Sequence, residues 1–174
     1  MITIDGGTGL VTGATLASPG NVIQVQNMAI DTNNVRVTDA SSSNHQTWFT
    51  NYNAAGTPVY QRIQFTPKFS TSKLLLLAVG SLRYATGATG QAGYAQVRII
   101  DVTNSNTQVA YTKYGMYAYT GGTNRDSGEW TCLSYINASS TSMRQYDVQY
   151  YFDGEQTYKH GSHGDSITVM EIAA

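Results

Sequence analysis

Apolar and polar residues alternate along much of this chain, in short segments that end at Gly, Asn, Asp or Pro. Between positions 94 and 101, for example, Ala95, Val97 and Ile99 face one way while Gln96 and Arg98 face the other. This period-two alternation, bounded by turn residues, is the pattern of β-strands with one buried face. About nine or ten such segments follow at regular spacing. The chain is therefore predicted to be all-β: a β-sandwich or jelly roll of about eight to ten mostly antiparallel strands, with a short extended N-terminal segment.

The amino-acid composition agrees with an all-β fold. Charged residues make up 12% of the chain, against about 25% in ordinary soluble domains. Small polar residues take their place, with 22 Thr, 15 Ser, 11 Asn and 11 Gln, whereas Leu (8), Lys (4) and Glu (3) are scarce. Because the scarce residues are the strong helix formers, the composition disfavours a helical bundle, a coiled coil and an α/β nucleotide-binding fold.

The longest apolar run, from Leu74 to Val79, predicts where the core lies. The first half of the segment 73–84 is apolar on both faces, which is typical of a central strand covered on two sides. The Leu74–Leu77 run and the face formed by Val97 and Ile99 are therefore predicted to be core.

A change in amino-acid composition indicates a domain boundary near position 20. Residues 1–20 are rich in Gly, Thr and Ala and have little to bury, whereas residues 21–174 are expected to form the sandwich. The first region is predicted to be an extended attachment and trimerisation segment. Three copies of Ile2, Ile4 and Leu10 around an axis would form the core that one copy lacks, so a homotrimer is expected.

The net charge and the hydropathy pattern argue against nucleic acids and membranes as partners. The net charge is −1 and basic residues are not clustered, whereas binding to a nucleic-acid backbone needs clustered Lys or Arg. No apolar stretch approaches the length of a membrane-spanning helix, and the N-terminus lacks the pattern of a signal peptide. We therefore expect no nucleic acid and no membrane insertion, and synthesis in a reducing cytoplasm.

Residues able to carry out chemistry are few. The single cysteine, Cys132, lies between apolar residues of a predicted strand and is interpreted as a buried, inert thiol. His160 and His163, with Asp165 nearby, could share a metal in an assembly, but a solvated loop is the favoured interpretation. Four carboxylates flank predicted turns and are interpreted as solvated rather than as a glycosidase pair: Asp126, Glu129, Asp153 and Glu155. No catalytic residue, no cofactor and no metal ligand is predicted.

Tyrosine is unusually abundant, with 13 residues, nine of them from position 111 onward. Exposed tyrosines stack on sugar rings or pack against a protein partner, because the ring is rigid and has a polar tip. For any single tyrosine, the favoured interpretation is that it fills the sandwich or a subunit contact, with its hydroxyl at the rim.

Four segments, in order, resemble one known family. Residues 1–10, "MITIDGGTGL", resemble the "ITIDGTTG" strand-turn segment that precedes the C-terminal head of tailed-phage fibre proteins. Residues 164–174, "GDSITVMEIAA", resemble the closing strand of those heads, which often has an "S-x-ITxMEI" pattern. Between them, residues 20–30, "GNVIQVQNMAI", and residues 65–84, "FTPKFSTSKLLLLAVGSLRY", resemble the opening strand and the "ITPTSSSSKILV" stretch.

The resemblance implies a virion structural protein, commonly trimeric, that is assembled in the host cytoplasm and contacts other virion proteins. The expected function is a non-enzymatic, tail-fibre-like appendage that engages the host surface, with a surface glycan as its candidate ligand. The alternative is a capsid decoration or cement protein that stabilises the phage head. Because the resembling fibre segment begins at Met1 with no long shaft before it, the chain is expected to attach through its N-terminal segment or a sandwich face. Loops at the far tip would carry recognition. The predicted receptor-binding residues are Tyr117, Tyr119, Asn124, Arg125 and Trp130.

Overall fold

The structure, a computed structural model, describes residues 3–4, 11–12, 18–30, 48, 50–52, 58–59, 62–84, 92–117, 126–153, 157–159 and 165–174. Within these ranges there are strands and no helix, hence no helix that could span a membrane. The strands are β1 (Thr3–Ile4), β2 (Val11–Thr12), β3 (Val22–Ala29), β4 (Asn51–Tyr52), β5 (Pro58–Val59), β6 (Arg62–Phe65), β7 (Lys73–Tyr84), β8 (Ala92–Asp101), β9 (Thr107–Tyr117), β10 (Asp126–Asn137), β11 (Arg144–Asp153), β12 (Thr157–Lys159) and β13 (Ser166–Ile172).

Two antiparallel sheets form a sandwich, which confirms the predicted fold class. Sheet I has the strand order β10-β7-β13-β3, and β12 pairs with β7 as well. Sheet II has the order β6-β11-β8-β9. Two short ladders, β1 with β2 and β4 with β5, are separate from both sheets. β7 is central in sheet I, as its apolar sequence predicts.

The core lies between the inner faces of the two sheets. Leu74 and Leu76 of β7 are fully buried, as are Val97 and Ile99 of β8, which confirms these four predicted core residues. Leu77, also predicted as core, is only half-buried. The second face of β7 differs from expectation, because Leu75 stays partly exposed. The large side chains that fill the core from the other strands are Ile63, Phe65, Trp130, Tyr146, Tyr150, Ile167 and Val169.

A turn at residues 102–106 joins β8 to β9 and explains a polar cluster at one end of sheet II. Asn106 has a φ of 59°, in the left-handed region that Asn tolerates. The buried Asp101 carboxylate accepts hydrogen bonds from the Thr103 hydroxyl (2.6 Å) and the Asn104 N–H (3.2 Å). Arg144 of β11 completes the cluster through an ion pair of 2.5 Å with Asp101. Because every donor meets an acceptor, this buried charge holds the turn against the neighbouring strand.

Glu171 of β13 is a second buried carboxylate, and it organises the crossing from sheet II to sheet I. The segment 66–72 joins β6 to β7, and its Lys68 and Phe69 N–H groups donate to the Glu171 carboxylate at 2.9–3.0 Å. The Ser72 hydroxyl and the Gln24 amide donate to it as well, each at 2.6 Å. Burial by itself would raise the pKa of Glu171, but these hydrogen bonds more than offset it and lower the pKa below its ordinary value.

Replacing Glu171 by Ala should therefore strongly destabilise the protein, because several buried donors lose their acceptor. The expected cost is about 3 kcal/mol, or a fall in melting temperature of about 6–12 °C for a chain of this size. E171Q keeps the shape of the side chain but places an N–H₂ group among hydrogen-bond donors. Its melting temperature at neutral pH should therefore also be lower than that of wild type. The exposed Glu129 provides the control, since E129Q should change the free energy of unfolding by no more than about 0.5 kcal/mol.

The same carboxylate predicts a pH dependence that calorimetry can check. Since the pKa of Glu171 is lowered on folding, its stabilisation is complete above the ordinary pKa of 4.5 and is lost as the pH falls through the folded pKa. The difference in melting temperature between wild type and E171Q should shrink below about pH 4. A difference that stays constant from pH 7 to pH 3 would contradict the ionised network.

Gly80 of β7 marks the closest packing described within the sandwich. A Cβ atom built on Gly80 would lie 2.5 Å from the Asp165 Cγ atom and 2.5 Å from the Trp130 Cζ2 atom. Asp165 is fully buried and accepts a hydrogen bond of 2.9 Å from the Ser81 N–H, so it has little room to move. Only a residue without a side chain fits between the carboxylate and the indole.

We expect G80A to destabilise the protein by about 1–3 kcal/mol or more, because a methyl group is forced against a buried carboxylate and an indole. Denaturant unfolding would measure the change as a lower midpoint with an unchanged slope. A midpoint equal to that of wild type would show that the packing at Gly80 is looser than these distances require.

Candidate functional site

Most of the predicted receptor-binding residues lie outside the described residues. Tyr119, Asn124 and Arg125 belong to this group, and the prediction for them stays a prediction. Tyr117 is the last residue of β9, of which the structure describes the backbone position but not the side chain. The pair His160 and His163 also falls outside the described ranges, and within those ranges no group of three possible metal ligands occurs.

The predicted trimerisation residues are placed only in part. Ile4 lies in β1 and pairs with Val11 of β2 in an antiparallel ladder. Ile2 and Leu10 lie outside the described residues. The expected packing of three N-terminal segments around an axis therefore stays a prediction.

For Trp130 the predicted role is wrong. Its side chain is 3% exposed and belongs to the core, with its ring edge-to-face against Tyr150 at a centroid distance of 5.9 Å. β10 turns its even-numbered residues inward, so Trp130 lies on the same face as the buried Cys132. A ring enclosed between the two sheets cannot stack on an external ligand.

Cys132 has the predicted character of a buried thiol. It is almost fully buried, and burial raises the pKa of the thiol to about 11. Its Sγ atom lies 3.8 Å from the Val97 carbonyl oxygen of the opposite sheet. A thiol that is protonated at neutral pH and closed off from solvent does not act as a nucleophile.

A cluster of aromatic and polar side chains lies instead on the outer face of sheet II. The Arg98 guanidinium lies over the Trp48 ring, 4.1 Å from its centroid. The same indole contacts Tyr151 of β11 at 5.5 Å and Tyr111 of β9 at 6.4 Å between ring centroids. We call this cluster the aromatic face of sheet II; its members are Trp48, Gln96, Arg98, Tyr111, Gln149 and Tyr151.

Strand register explains why these side chains meet. Arg98 of β8 pairs with Gln149 on one side and with Tyr111 on the other, so all three point away from the core. Arg98 donates two hydrogen bonds to the Gln149 side-chain oxygen, at 2.6 and 2.9 Å. The Tyr111 hydroxyl donates to the Gln96 side-chain oxygen at 3.1 Å. The polar ends are thus held in place, and the Tyr111 ring stays 47% exposed.

A buried carboxylate, Asp147, lies beside the aromatic face. It occupies the next outward position of β11 and is covered by Thr50, whose hydroxyl lies 3.3 Å from the carboxylate. Arg62 of β6 approaches it at 3.9 Å. Burial raises the pKa of Asp147 to about 6, and the charge of Arg62 and the hydrogen bond from Thr50 offset that rise only in part.

The composition of the aromatic face suits a saccharide. Aromatic ring faces pack against the C–H faces of a pyranose, while amide and guanidinium groups at the ring edges bond to its hydroxyl groups. Tyr111 offers the exposed ring, and Gln96, Arg98 and Gln149 offer the polar edge.

Sequence reasoning missed this cluster for an identifiable reason. Trp48 stands in a polar stretch, residues 39–53, whose pattern predicts a loop and no particular partner. The alternation of β8 does place Gln96 and Arg98 on the face away from the core. The available signal was a tryptophan in an otherwise polar loop, which needs an apolar surface to cover and therefore points to a docking contact.

Comparisons with known proteins do not assign the chain. No protein-family model matches it, and no curated protein matches it. Among solved structures, it is similar to the structure of infectious bursal disease virus, Gx strain, with a TM-score of 0.38 and 14% identity over 98% of this chain and 37% of that one. It is also similar to an arabinose-bound α-L-arabinofuranosidase, with a TM-score of 0.27 and 14% identity over 92% of this chain and 24% of that one. The chain spans well under two thirds of either protein, and both similarities are too distant to bear on its function.

Asp147 generates a prediction about stability and pH. Because its pKa rises from 3.8 to about 6 on folding, the folded state binds more protons between these values, and stability falls as the pH rises through that window. D147N removes the titrating group. It should melt close to wild type near pH 3.5 and be more stable at pH 7.5, by about 1–3 kcal/mol.

Calorimetry of wild type and D147N from pH 3.5 to pH 8 would measure this difference. E129Q, at an exposed site, should show the pH profile of wild type. A D147N variant that is less stable than wild type at pH 7.5 would mean that the pairing with Arg62 and Thr50 outweighs the cost of burial.

Proposed function

We propose that this chain is a structural protein of a tailed-phage virion, a non-enzymatic, tail-fibre-like appendage that binds a saccharide of the host surface. The observation that carries the proposal is the aromatic face of sheet II. It combines one exposed ring, Tyr111, with a fixed set of amide and guanidinium groups on a rigid antiparallel sheet. Such a surface needs little reordering when a ligand binds, which lowers the entropic cost of recognition.

The resemblance to fibre heads adds support, because three of its four segments meet at one buried group. Gln24 belongs to the segment that resembles the opening strand, and Glu171 to the segment that resembles the closing strand. Lys68 and Ser72 belong to the segment between them. All three donate to the Glu171 carboxylate. A shared set of hydrogen bonds is a physical reason for these separated residues to occur together in one fold.

The proposal also covers the oligomeric state of the protein and its location. The protein acts as a homotrimer that is joined to other virion proteins, and it reaches the virion from the host cytoplasm. Neither a nucleic acid nor a membrane is a partner. The net charge of −1 supports the first exclusion, since a nucleic-acid backbone requires a basic surface.

The alternative is a capsid decoration or cement protein that stabilises the phage head. The same fold and charge suit that role, and it requires no saccharide. The two functions differ in what the purified protein binds, so one binding experiment separates them.

The experiment is an array of immobilised bacterial surface polysaccharides: lipopolysaccharide O-antigens, capsular polysaccharides and teichoic acids. Wild type is expected to bind a subset of them. Y111A should bind that subset at least about ten-fold more weakly, because the exposed ring provides the stacking surface. Its melting temperature should stay close to that of wild type, since the removed ring is half exposed.

Phe69 provides a matched control, because its ring is 45% exposed, against 47% for Tyr111, and lies outside sheet II. F69A should bind the array like wild type. Wild type that ignores every polysaccharide but binds purified phage heads would favour the decoration protein. Polysaccharide binding that Y111A leaves unchanged would keep the receptor-binding function but move the site to another surface.

A further inference from the structure

The outer face of sheet I is apolar where the outer face of an antiparallel sheet is usually polar. One row across the four strands places Tyr135, Leu75, Met170 and Val25 side by side. The next row consists of Leu133, Leu77, Thr168 and Asn27, so its apolar half lies on β10 and β7. We call this surface the apolar face of sheet I; its central residues are Val25, Leu75, Leu77, Leu133, Tyr135 and Met170.

Three of these apolar side chains are more than half exposed to solvent. Leu133 is 59% exposed, Tyr135 57% and Val25 55%. Single exposed apolar residues are ordinary, but here they lie on neighbouring strands of one sheet. A contiguous apolar patch on a folded domain marks an interaction surface.

The near absence of charged side chains on this face restricts the chemical class of partner that it can bind. Among the outward-facing positions of the described rows from Asn137 to Thr131 of β10 and their partners on β7, β13 and β3, Lys73 is the one charged residue, and it donates to the side chain of Asn137 at the rim. Glu171 belongs to the same rows but is buried inside the sandwich. A neutral, apolar face does not suit a nucleic acid, an acidic peptide or an anionic membrane surface. A second copy of the same face complements it, because neither side brings a charge that would have to be desolvated.

The area is sufficient for such a contact. Four strands about 4.8 Å apart and seven residues of about 3.4 Å rise span roughly 450 Å² in projection. The relief of the side chains increases the accessible area, so a pair of faces buries on the order of 1,000 Å², which is where specific interfaces begin. Sheets of one sandwich pack face to face about 10 Å apart, and two outer faces can adopt the same spacing.

The N-terminal segment leaves the domain next to this face. The Gly20 N–H donates to the Ala173 carbonyl oxygen and the Ala173 N–H donates to the Asn21 carbonyl oxygen, both at 2.8 Å. These bonds fix the chain beside the paired residues Val22 and Ile172, at one end of the apolar rows.

We infer that copies of this chain pack against one another through the apolar face of sheet I. Because the face meets its own copy, the inferred contact is two-fold, and it is separate from the three-fold packing proposed for the N-terminal segments. It is tested by association rather than by polysaccharide binding, so the two proposals can fail separately.

The test uses sedimentation velocity and light scattering on the full chain between 1 and about 100 µM. Wild type should be an oligomer in this range. L133E and V25E each place a charge in the contact and should weaken association by about 100-fold or more, because the charge would be buried without a partner. Both positions are more than half exposed, so each variant should keep the melting temperature that wild type has when diluted to monomer.

Q64E is the matched control, since Gln64 is exposed on β6 of the opposite sheet and the substitution adds the same charge. It should associate like wild type. A wild-type protein that is monomeric at 100 µM would overturn the inference. So would an L133E variant that folds and associates as strongly as wild type, because the copies would then meet through another surface.

Discussion

The carboxylate of Glu171 is the interaction on which the arrangement of the two sheets depends. The chain passes from sheet II to sheet I through residues 66–72, and that crossing has no regular structure to hold it. Glu171 accepts hydrogen bonds from two backbone N–H groups and one hydroxyl of the crossing, and from Gln24 at the edge of sheet I. A single ionised group thus satisfies donors from two distant parts of the chain, and its burial is offset by the bonds that it receives.

Three buried carboxylates show how the protein handles charge in its interior. Asp101 is matched by the guanidinium of Arg144 and by the turn beside it. Glu171 is matched by neutral donors at short distance. Asp147 has a long bond to Thr50 and a distant Arg62, so its pKa rises while the pKa of Glu171 falls. The several close donors of Glu171 lower its pKa, whereas burial is the dominant effect at Asp147 and raises its pKa.

One sandwich core produces two outer faces of different chemistry. Alternation along each strand sends one set of side chains inward, and both sheets use that set to build the shared core. The outward set of sheet II holds glutamine, arginine and tyrosine, and Trp48 covers part of it. The outward set of sheet I holds leucine, valine, methionine and tyrosine. Ligand recognition on one side and self-association on the other can coexist because neither face needs the residues of the other.

The sequence by itself determined the all-β fold and the core residues Leu74, Leu76, Val97 and Ile99. Alternation, turn residues and the shortage of helix formers are local properties, and they can be read without knowing which strands pair. It also identified Cys132 as a buried thiol. The predicted receptor-binding role of Trp130 was wrong, although alternation already places residue 130 on the same strand face as the buried Cys132.

Only the tertiary structure decided which residues form the candidate site. Trp48 and Arg98 are separated by fifty positions in the chain and meet because Trp48 packs on the outer face of sheet II, where the neighbouring strands β11, β8 and β9 bring Tyr151, Arg98 and Tyr111 together. Glu171 meets Ser72 because the last strand inserts between β7 and β3. Strand order is set by the free energy of the whole packed sandwich rather than by any one segment, so contacts between distant segments could not be read from local pattern.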